Sequence, residues 1–293
     1  MSPWNFTRLA AAGVCGVVVS FNASAVLSCS ITAAPNPLAG TYDPASNLDM
    51  QGSFTINCTR AKNDSKTQTL WIGLNQASGQ TMSKAAPYAD TLAYGIYSDV
   101  NRTVLWTAGA TGGVTVSLNF GTSTAGSASQ TFYMRANSLQ NDKAAGSYSD
   151  TLNVTLNLTN SVGQNLGSTT LTTQATVPKT CSVNASAVSY SVGYQAFSAA
   201  AVVDSTQAVA VSCSKGTQAT LTLDSTTGVI LPVALAYQLG FSPSSSASTS
   251  GTSSSSGVPL SVPLTLTLPA GQAGTCSTGT CSGSDTRQVT ITY

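Results

Sequence analysis

Apolar and polar residues alternate with a period of two along most of this chain. Clear examples are Ser53–Cys58, Thr69–Leu74, Gln130–Arg135 and Ala219–Leu223. Glycine, asparagine, aspartate, serine or proline separates these short segments, as expected of turns between half-buried strands. The pattern predicts an all-β protein built from sandwiches of about six or seven strands each.

Four landmarks of the first half recur in the same order in the second half. They are two cysteines, a Leu-Ala-Tyr motif and an Asp-Thr strand, at Cys29, Cys58, Leu92–Tyr97 and Asp150–Leu158, and again at Cys181, Cys213, Leu235–Leu239 and Asp285–Tyr293. Such a duplication indicates two tandem domains. We predict two immunoglobulin-like β-sandwiches, one at residues 26–178 and one at residues 179–293.

Residues 1–25 have the pattern of a signal peptide. Arg8 makes the n-region positive, Leu9–Val19 forms an apolar run, and Ala23–Ala25 supplies small residues for cleavage. A membrane-spanning helix would need ~20 apolar residues, which favours a cleaved signal over an anchor. The mature chain is expected to start near Val26 and to be exported.

The cysteines agree with export. Of seven cysteines, Cys15 lies in the predicted signal, and the other six are expected to form three disulfides in an exported chain without histidine. The repeat favours pairs that join the first strand of each domain to the second, and a small loop closed before the last strand. These pairs are Cys29–Cys58, Cys181–Cys213 and Cys276–Cys281. Other pairings of six cysteines stay open.

Charged residues are scarce, and histidine is absent. Aspartate, lysine and arginine together make up 7% of the chain, against ~25% charged residues in a typical soluble protein. The net charge is +1. The chain therefore lacks the clustered cations that bind nucleic acid and the usual general base and metal ligand. A glycosidase would need two close carboxylates, and nothing in the sequence sets two apart. We expect no enzyme activity, no cofactor and no nucleic-acid partner.

One segment differs in composition from the rest. Ser242–Gly257 is rich in serine and contains no large apolar residue. Such a segment cannot bury a face. We expect a Ser-rich mobile loop at residues 242–257, inside the second domain.

Together these landmarks resemble the spore coat protein U domain, the subunit fold of archaic (Csu-type) chaperone–usher pili. The resemblance rests on the first cysteine pair, on Leu92–Asp99 followed by Trp106, and on the closing segment Ala145–Val154. It covers most of Cys29–Leu158. In the second half the ends match, but no tryptophan follows Leu235–Tyr237. Two such domains in one chain resemble the tip subunit of these pili.

The resemblance implies an exported subunit whose sandwich lacks its last strand. A chaperone lends that strand, and the N-terminal extension of a neighbouring subunit later replaces it. The partners implied are a periplasmic chaperone, an outer-membrane usher and the donor strand of the adjacent pilin subunit. In the second domain the residues expected to line the receiving groove are Val188, Tyr190, Val192, Val289, Ile291 and Tyr293.

Counting strands distinguishes the two domains. After Asp150–Leu158 the segment 167–177 alternates once more, and it can supply the missing strand in cis or act as a plain linker. The residues on its inward face are Leu171, Thr173, Ala175 and Val177. The sequence stops at Tyr293, so we expect the second domain to lack its last strand. Cleavage near residue 25 leaves too few residues before Cys29 for a donor strand, which favours the tip of a polymer.

The favoured function is that of a pilus-tip adhesin at the cell surface, which mediates adhesion to surfaces and biofilm formation. Its target is unknown. The candidate adhesive loops lie at the far end of the first domain and contain Arg60, Lys62, Lys66, Val162 and Leu166.

Two alternatives belong to other classes. One is a secreted structural coat or biofilm protein of the same fold, and the other is a carbohydrate-binding module. The second alternative requires clustered exposed aromatic side chains, whereas strand periodicity assigns most of them to the core. The aromatic residues concerned are Trp71, Tyr88, Tyr94, Tyr97 and Trp106.

Overall fold

A computed structural model describes residues 27–184, 188–276 and 280–293, and every regular element in these ranges is a β-strand. The all-β, two-domain fold that the alternating pattern predicts is confirmed. No helix long and apolar enough to cross a membrane occurs in the described part of the chain. The predicted signal peptide, 1–25, lies outside the described residues.

The first domain is built from long strands that form two facing sheets. Its strands are β1 (Ser28–Ala34), β2 (Leu38–Thr41), β3 (Leu48–Thr59), β4 (Thr67–Leu74), β5 (Thr81–Lys84), β6 (Thr91–Ala93), β7 (Gly95–Tyr97), β8 (Val114–Asn119), β9 (Ala125–Ala136), β10 (Gly146–Leu158) and β11 (Asn165–Val177). One sheet has the order β1-β3-β9-β7, and the other has the order β2-β11-β10-β4-β8, with β5 and β6 beside β10.

Aromatic residues fill the core between these sheets. Phe54 lies against Trp106 edge-on, with ring centroids 5.5 Å apart, and against Phe132 at 4.6 Å. The indole N–H of Trp106 donates to the carbonyl of Ile72 at 2.9 Å. The buried tryptophan therefore ties the loop that follows β7 to the opposite sheet.

The second domain repeats this plan with shorter strands. They are β12 (Cys181–Val183), β13 (Val202–Asp204), β14 (Ala208–Cys213), β15 (Gln218–Leu223), β16 (Thr227–Ile230), β17 (Leu235–Phe241), β18 (Ser248–Thr252), β19 (Pro259–Leu268) and β20 (Val289–Thr292). One sheet has the order β12-β14-β19-β17-β16, with β13 beside β19, and a small sheet has the order β18-β15-β20.

A hydrogen-bonded unit shows the duplication at atomic level. The backbone N–H of Gln140 donates to the Tyr42 hydroxyl at 3.1 Å, and that of Gln272 donates to the Tyr194 hydroxyl at 2.8 Å. The side-chain amide of each glutamine also donates to the alanine carbonyl of the repeated Leu-Ala-Tyr motif, at 2.8 and 2.9 Å. Tyr42 and Tyr194 are therefore equivalent positions of the two domains.

The structure pairs the six cysteines within their domains. Cys29 lies opposite Cys58 on β1 and β3, and Cys181 lies opposite Cys213 on β12 and β14, with Cα atoms 4.1 Å apart in both pairs. The third bond joins Cys276 to Cys281, ahead of β20. The first two disulfides fasten the first strand of each sandwich to its neighbour.

Polar contacts join the two domains beside the linker that connects β11 to β12. The Lys215 ammonium lies 2.9 Å from the Asp90 carboxylate, and both side chains are largely shielded from solvent. Ala145 N–H donates to the Lys215 carbonyl at 2.9 Å, and Ser256 N–H donates to the Asp142 carboxylate at 2.7 Å. The domains therefore contact each other through these polar groups, which we call the joint, as well as through the covalent linker.

The joint holds the Asp90 carboxyl ionised. Burial acts to raise its pKa, but hydrogen bonds from the Lys215 ammonium and the Ala144 N–H outweigh burial and lower the pKa below its ordinary value. A carboxyl with a depressed folded-state pKa stabilises the fold above its unfolded pKa, and this contribution is lost as the pH falls through the folded pKa. The contact between Lys215 and Asp90 therefore stabilises the protein at neutral pH, and this stabilisation is lost only in acid.

The expectation of a mobile loop at 242–257 is wrong for part of the segment. Ser248–Thr252 forms β18, which pairs antiparallel with β15 from Gln218 to Thr222. Serine and threonine have small side chains that fit an edge strand without burying a face, and the free edge of β15 supplies backbone partners. The segment continues to Ser256, which contacts the first domain at the joint.

Candidate functional site

Strand β11 closes the sandwich of the first domain. It pairs antiparallel with β10, from Gly146 opposite Val177 to Asn157 opposite Asn165. Its other edge pairs parallel with β2. The side chains of Leu171, Thr173 and Ala175 are fully buried in the core, and Val177 is nearly so. The other edge of β10 pairs with β5 at Tyr148 and with β4 from Val154 to Leu158.

The equivalent place in the second domain is open. Strand β20 pairs with β15 along one edge, and no strand of the described ranges pairs with its other edge. The repeated Asp-Thr landmark makes β20 the equivalent of β10. The open edge therefore corresponds to the edge of β10 that β11 covers.

The segment Val188–Tyr194 lies where β2 lies in the first domain. Its alternate residues pack against the second core, but no strand pairing is formed by it within the described residues. Tyr194 is equivalent to Tyr42, which directly follows β2, so the segment corresponds to β2 and the residues around it. In the first domain β2 pairs with β11, and no strand of the described ranges takes the place of β11 here.

A groove of about 1490 Å³ lies between these two elements and opens the core of the second domain. Its apolar interior includes Leu239, Leu264 and Leu266. Of the residues predicted to line it, four do so, namely Val188, Tyr190, Val192 and Val289. The other two do not line it. Ile291 packs against the core beside the groove, and Tyr293 is 58% exposed.

Tyr190 brings a polar atom into this apolar surface. Its hydroxyl is buried, and it has no hydrogen-bond partner among the residues that the structure describes. Burial raises the pKa of Tyr190 to about 12, and the Asp204 carboxylate adds to the rise. The hydroxyl therefore stays protonated at neutral pH and is available to a ligand that enters the groove.

A polar cluster at one end of the groove was missed by sequence reasoning. The Tyr237 hydroxyl donates to the Asp285 carboxylate at 2.6 Å, and the Arg287 guanidinium bonds to both, at 2.6 and 2.9 Å. The Tyr237 hydrogen bond is the main cause that lowers the pKa of Asp285, and burial raises that of Tyr237. The signal was present, because both the tyrosine and the aspartate belong to repeated landmarks.

The first domain has the same tyrosine–aspartate pair under β11. The Tyr94 hydroxyl donates to the Asp150 carboxylate at 2.7 Å, and Thr173 of β11 stands opposite Asp150. Burial raises the pKa of Tyr94 far above its ordinary value, Asp150 adds to the rise, and the Thr173 side chain opposes it. In the first domain, where β11 completes the sandwich, the residue opposite this aspartate is therefore polar but uncharged.

The loops proposed for adhesion meet at the end of the first domain that lies away from the joint. The turns after β3, β8 and β10 come together there, since Thr59 pairs with Ala125 and Thr67 with Asn119. Lys62 and Lys66 are exposed at this end, which we call the distal pole. Val162, in the β10–β11 turn, is also exposed at 89%.

Two of the residues predicted in the adhesive loops are instead structural. Arg60 is 7% exposed, because its Nη1 atom donates to three carbonyls of its own loop and its Nη2 atom donates to the Ser123 carbonyl at 3.0 Å. Its guanidinium also lies 5.4 Å from the Phe120 ring centroid. Leu166 packs against the first core. The Arg60 guanidinium is therefore held within the fold, whereas the Leu166 side chain is half-buried.

The aromatic residues considered for carbohydrate binding do not form an exposed platform. Trp71, Tyr94 and Trp106 are buried in the first domain. Tyr88 lies at the joint, with the Lys84 and Lys215 ammonium groups each 5.9 Å from its ring centroid. A sugar-binding surface built from these side chains is therefore disfavoured.

Comparison with known families identifies one match. The profile of the Spore Coat Protein U domain matches residues 17–155 and 168–230. A search of curated proteins finds no match.

Solved structures with similar topology come from bacterial pili. One is a chain of the CsuC–CsuE chaperone–tip adhesion subunit pre-assembly complex of Acinetobacter baumannii, with 14% identity over 91% of this chain and 100% of that chain, and a TM-score of 0.42. The CupB6 tip adhesin of Pseudomonas aeruginosa has 12% identity over 90% of this chain and 94% of that chain, with a TM-score of 0.37. The CooA pilin subunit of enterotoxigenic Escherichia coli has 18% identity over 51% of this chain and 98% of that chain, with a TM-score of 0.36.

Proposed function

Because this chain belongs to the Spore Coat Protein U domain family, we propose that it is a subunit of a chaperone–usher pilus whose second domain accepts a β-strand from another protein. The observation that carries the proposal is the contrast between two equivalent positions. Strand β11 fills the position in the first domain, and a groove of about 1490 Å³ occupies it in the second.

The unpaired backbone edge and the apolar lining of the groove suit a β-strand as its occupant. The edge of β20 presents N–H and C=O groups that can extend a ladder, and the leucines beneath it form an apolar floor. An edge of this kind associates with other strands unless a partner covers it. Backbone hydrogen bonds along β20 would provide affinity, and alternate side chains of the incoming strand would enter the groove.

The chaperone, the usher and a neighbouring pilin are the partners that follow from this role. The chaperone would cover the groove after export to the periplasm, and the donor strand of the adjacent subunit would replace it during assembly at the outer-membrane usher. The finished subunit would stand on the cell surface.

Co-expression with a periplasmic chaperone of the pilus class tests strand acceptance. We expect the chain to copurify with the chaperone. A matched control extends the chain after Tyr293 with a copy of residues 159–177, the turn and strand that close the first domain. This graft fills the groove in cis and should abolish copurification. Equal capture of both forms would show that the groove is not the chaperone site.

We further propose that the subunit stands at the pilus tip and contributes to adhesion and biofilm formation. The first domain already contains its closing strand, so it is free to point away from the fibre. The distal pole would then face the target surface, with Lys62, Lys66 and Val162 as its exposed contacts.

An adhesion assay tests the tip role. Cells whose pili carry Lys62→Ala and Lys66→Ala together should attach a fewfold less to the target surface, because two exposed cations of the distal pole are removed. Lys179→Ala, which removes an exposed lysine near the linker, is the matched control. Unchanged attachment at equal pilus density would show that the lysines of the distal pole are not adhesive contacts.

A further inference from the structure

The two equivalent strand positions differ in chemistry at one residue. In the first domain Leu152 stands opposite Leu171 of β11, and both side chains are buried. The repeated landmark aligns Asp150 with Asp285, so Arg287 takes the place of Leu152. A strand that fills the second groove in the register of β11 therefore meets a guanidinium where β11 meets a leucine.

The Arg287 side chain is held in place before any strand arrives. It lies across the Tyr237 ring, with 5.7 Å from the guanidinium carbon to the ring centroid. Its Nε atom donates to the Tyr237 hydroxyl at 2.6 Å, and its Nη2 atom donates to the Thr227 carbonyl at 3.0 Å. A Cβ atom at Gly228 would overlap both side chains, so glycine makes room for this arrangement.

The remaining nitrogen of the guanidinium is available to a ligand. Within the described residues Nη1 makes no hydrogen bond, and the Asp224 carboxylate lies 3.9 Å from it, which is beyond hydrogen-bond distance. A strand across the groove would remove water from this nitrogen. A buried donor without an acceptor is costly, so a leucine opposite Arg287 would weaken binding.

The local charge decides which kind of acceptor fits. Asp285 at 2.9 Å and Asp224 at 3.9 Å already place two carboxylates beside one guanidinium. A third carboxylate would be repelled by these two, whereas a neutral oxygen would accept the free N–H groups without adding charge. An asparagine side chain has the same number of heavy atoms as leucine, branches at the same carbon, and carries such an oxygen.

We propose that Arg287 is a specificity-determining residue of the groove, which selects an incoming strand with a neutral hydrogen-bonding side chain, such as asparagine, opposite it. This inference rests on the proposed function, because it assumes that a strand enters in the register of β11. Residues directly opposite each other in an antiparallel pair have their side chains on the same face, which brings the two groups into contact.

A peptide competition tests the selection on the full chain. The probes are three synthetic peptides with the sequence of residues 166–177, one unchanged, one with Leu171→Asn and one with Leu171→Asp. They carry different heavy-isotope labels so that their masses can be distinguished, they are mixed in equal amounts, and the bound fractions are measured by native mass spectrometry. We expect the asparagine peptide to be bound about tenfold over the leucine peptide, and the aspartate peptide to be bound less than the asparagine peptide.

A reciprocal variant strengthens the test. Arg287→Leu restores the chemistry of Leu152, so the unchanged leucine peptide should become the preferred ligand. Should this variant fail to fold, the ranking on the unchanged chain still decides. Equal binding of all three peptides, or preference for aspartate, would overturn the selection by Arg287 while strand acceptance stands. Binding of no peptide would overturn strand acceptance itself, together with the selection.

Discussion

Replacing Leu171 by aspartate is expected to unfold the first domain. The leucine is fully buried between the sheets, on the strand that closes the sandwich. Removing a buried leucine side chain costs about 2–5 kcal/mol, and an unpaired carboxylate in the same place costs more. Since the whole stability of a domain is about 5–15 kcal/mol, this one change removes most of it.

Tryptophan fluorescence reports selectively on the unfolding of the first domain. Two of the three tryptophans of the chain, Trp71 and Trp106, lie buried in the first domain, and the third lies in the predicted signal. Gln174→Asp places the same charge on the exposed face of the same strand and is the matched control. A denaturant midpoint unchanged by Leu171→Asp would show that the strand does not hold the domain together.

The graft of residues 159–177 after Tyr293 is expected to stabilise the second domain strongly. A tethered strand is present at an effective concentration of about millimolar, and occupancy at a hundred times the dissociation constant adds about 2.7 kcal/mol. For this measurement, unlike the copurification control, the grafted copy carries Leu171→Asn, so that its side chain opposite Arg287 accepts hydrogen bonds.

Hydrogen exchange locates the effect of the graft. We expect slower exchange in Val188–Tyr194 and in Val289–Thr292, the two elements that flank the groove. The control graft carries two prolines in place of Leu171 and Ala175, which cannot form the ladder. Equal exchange in both grafted chains would mean that the groove does not accept a strand of this register.

Local patterns were sufficient to predict the strands and their inward faces. Leu171, Thr173, Ala175 and Val177 alternate with polar residues, and the structure places all four against the core. The cysteines that lie opposite each other on neighbouring strands could be matched because each pair recurs at the same place in the repeat. Period and repetition are properties of nearby residues, so one sequence reveals them.

The roles of individual loop residues could not be predicted in the same way. Arg60 is a charged residue in a turn, and composition alone suggests an exposed side chain. In the folded chain its guanidinium donates to the carbonyls of Ala61, Lys62 and Asp64 and to that of Ser123 in a different turn. Which carbonyls converge on one point depends on how the turns meet, and the turns meet only in the folded domain.

By itself, the sequence determined that this protein is a duplicated all-β chain, with strands whose alternate residues face a core. Only the tertiary structure decided what each strand edge pairs with. It placed β18 on the free edge of β15, joined Lys215 to Asp90, and brought Arg287 to Tyr237 beside the open groove. The physical reason is that alternation records which side of a strand faces the core, whereas backbone edges and charged groups have no preferred partner until distant segments come together.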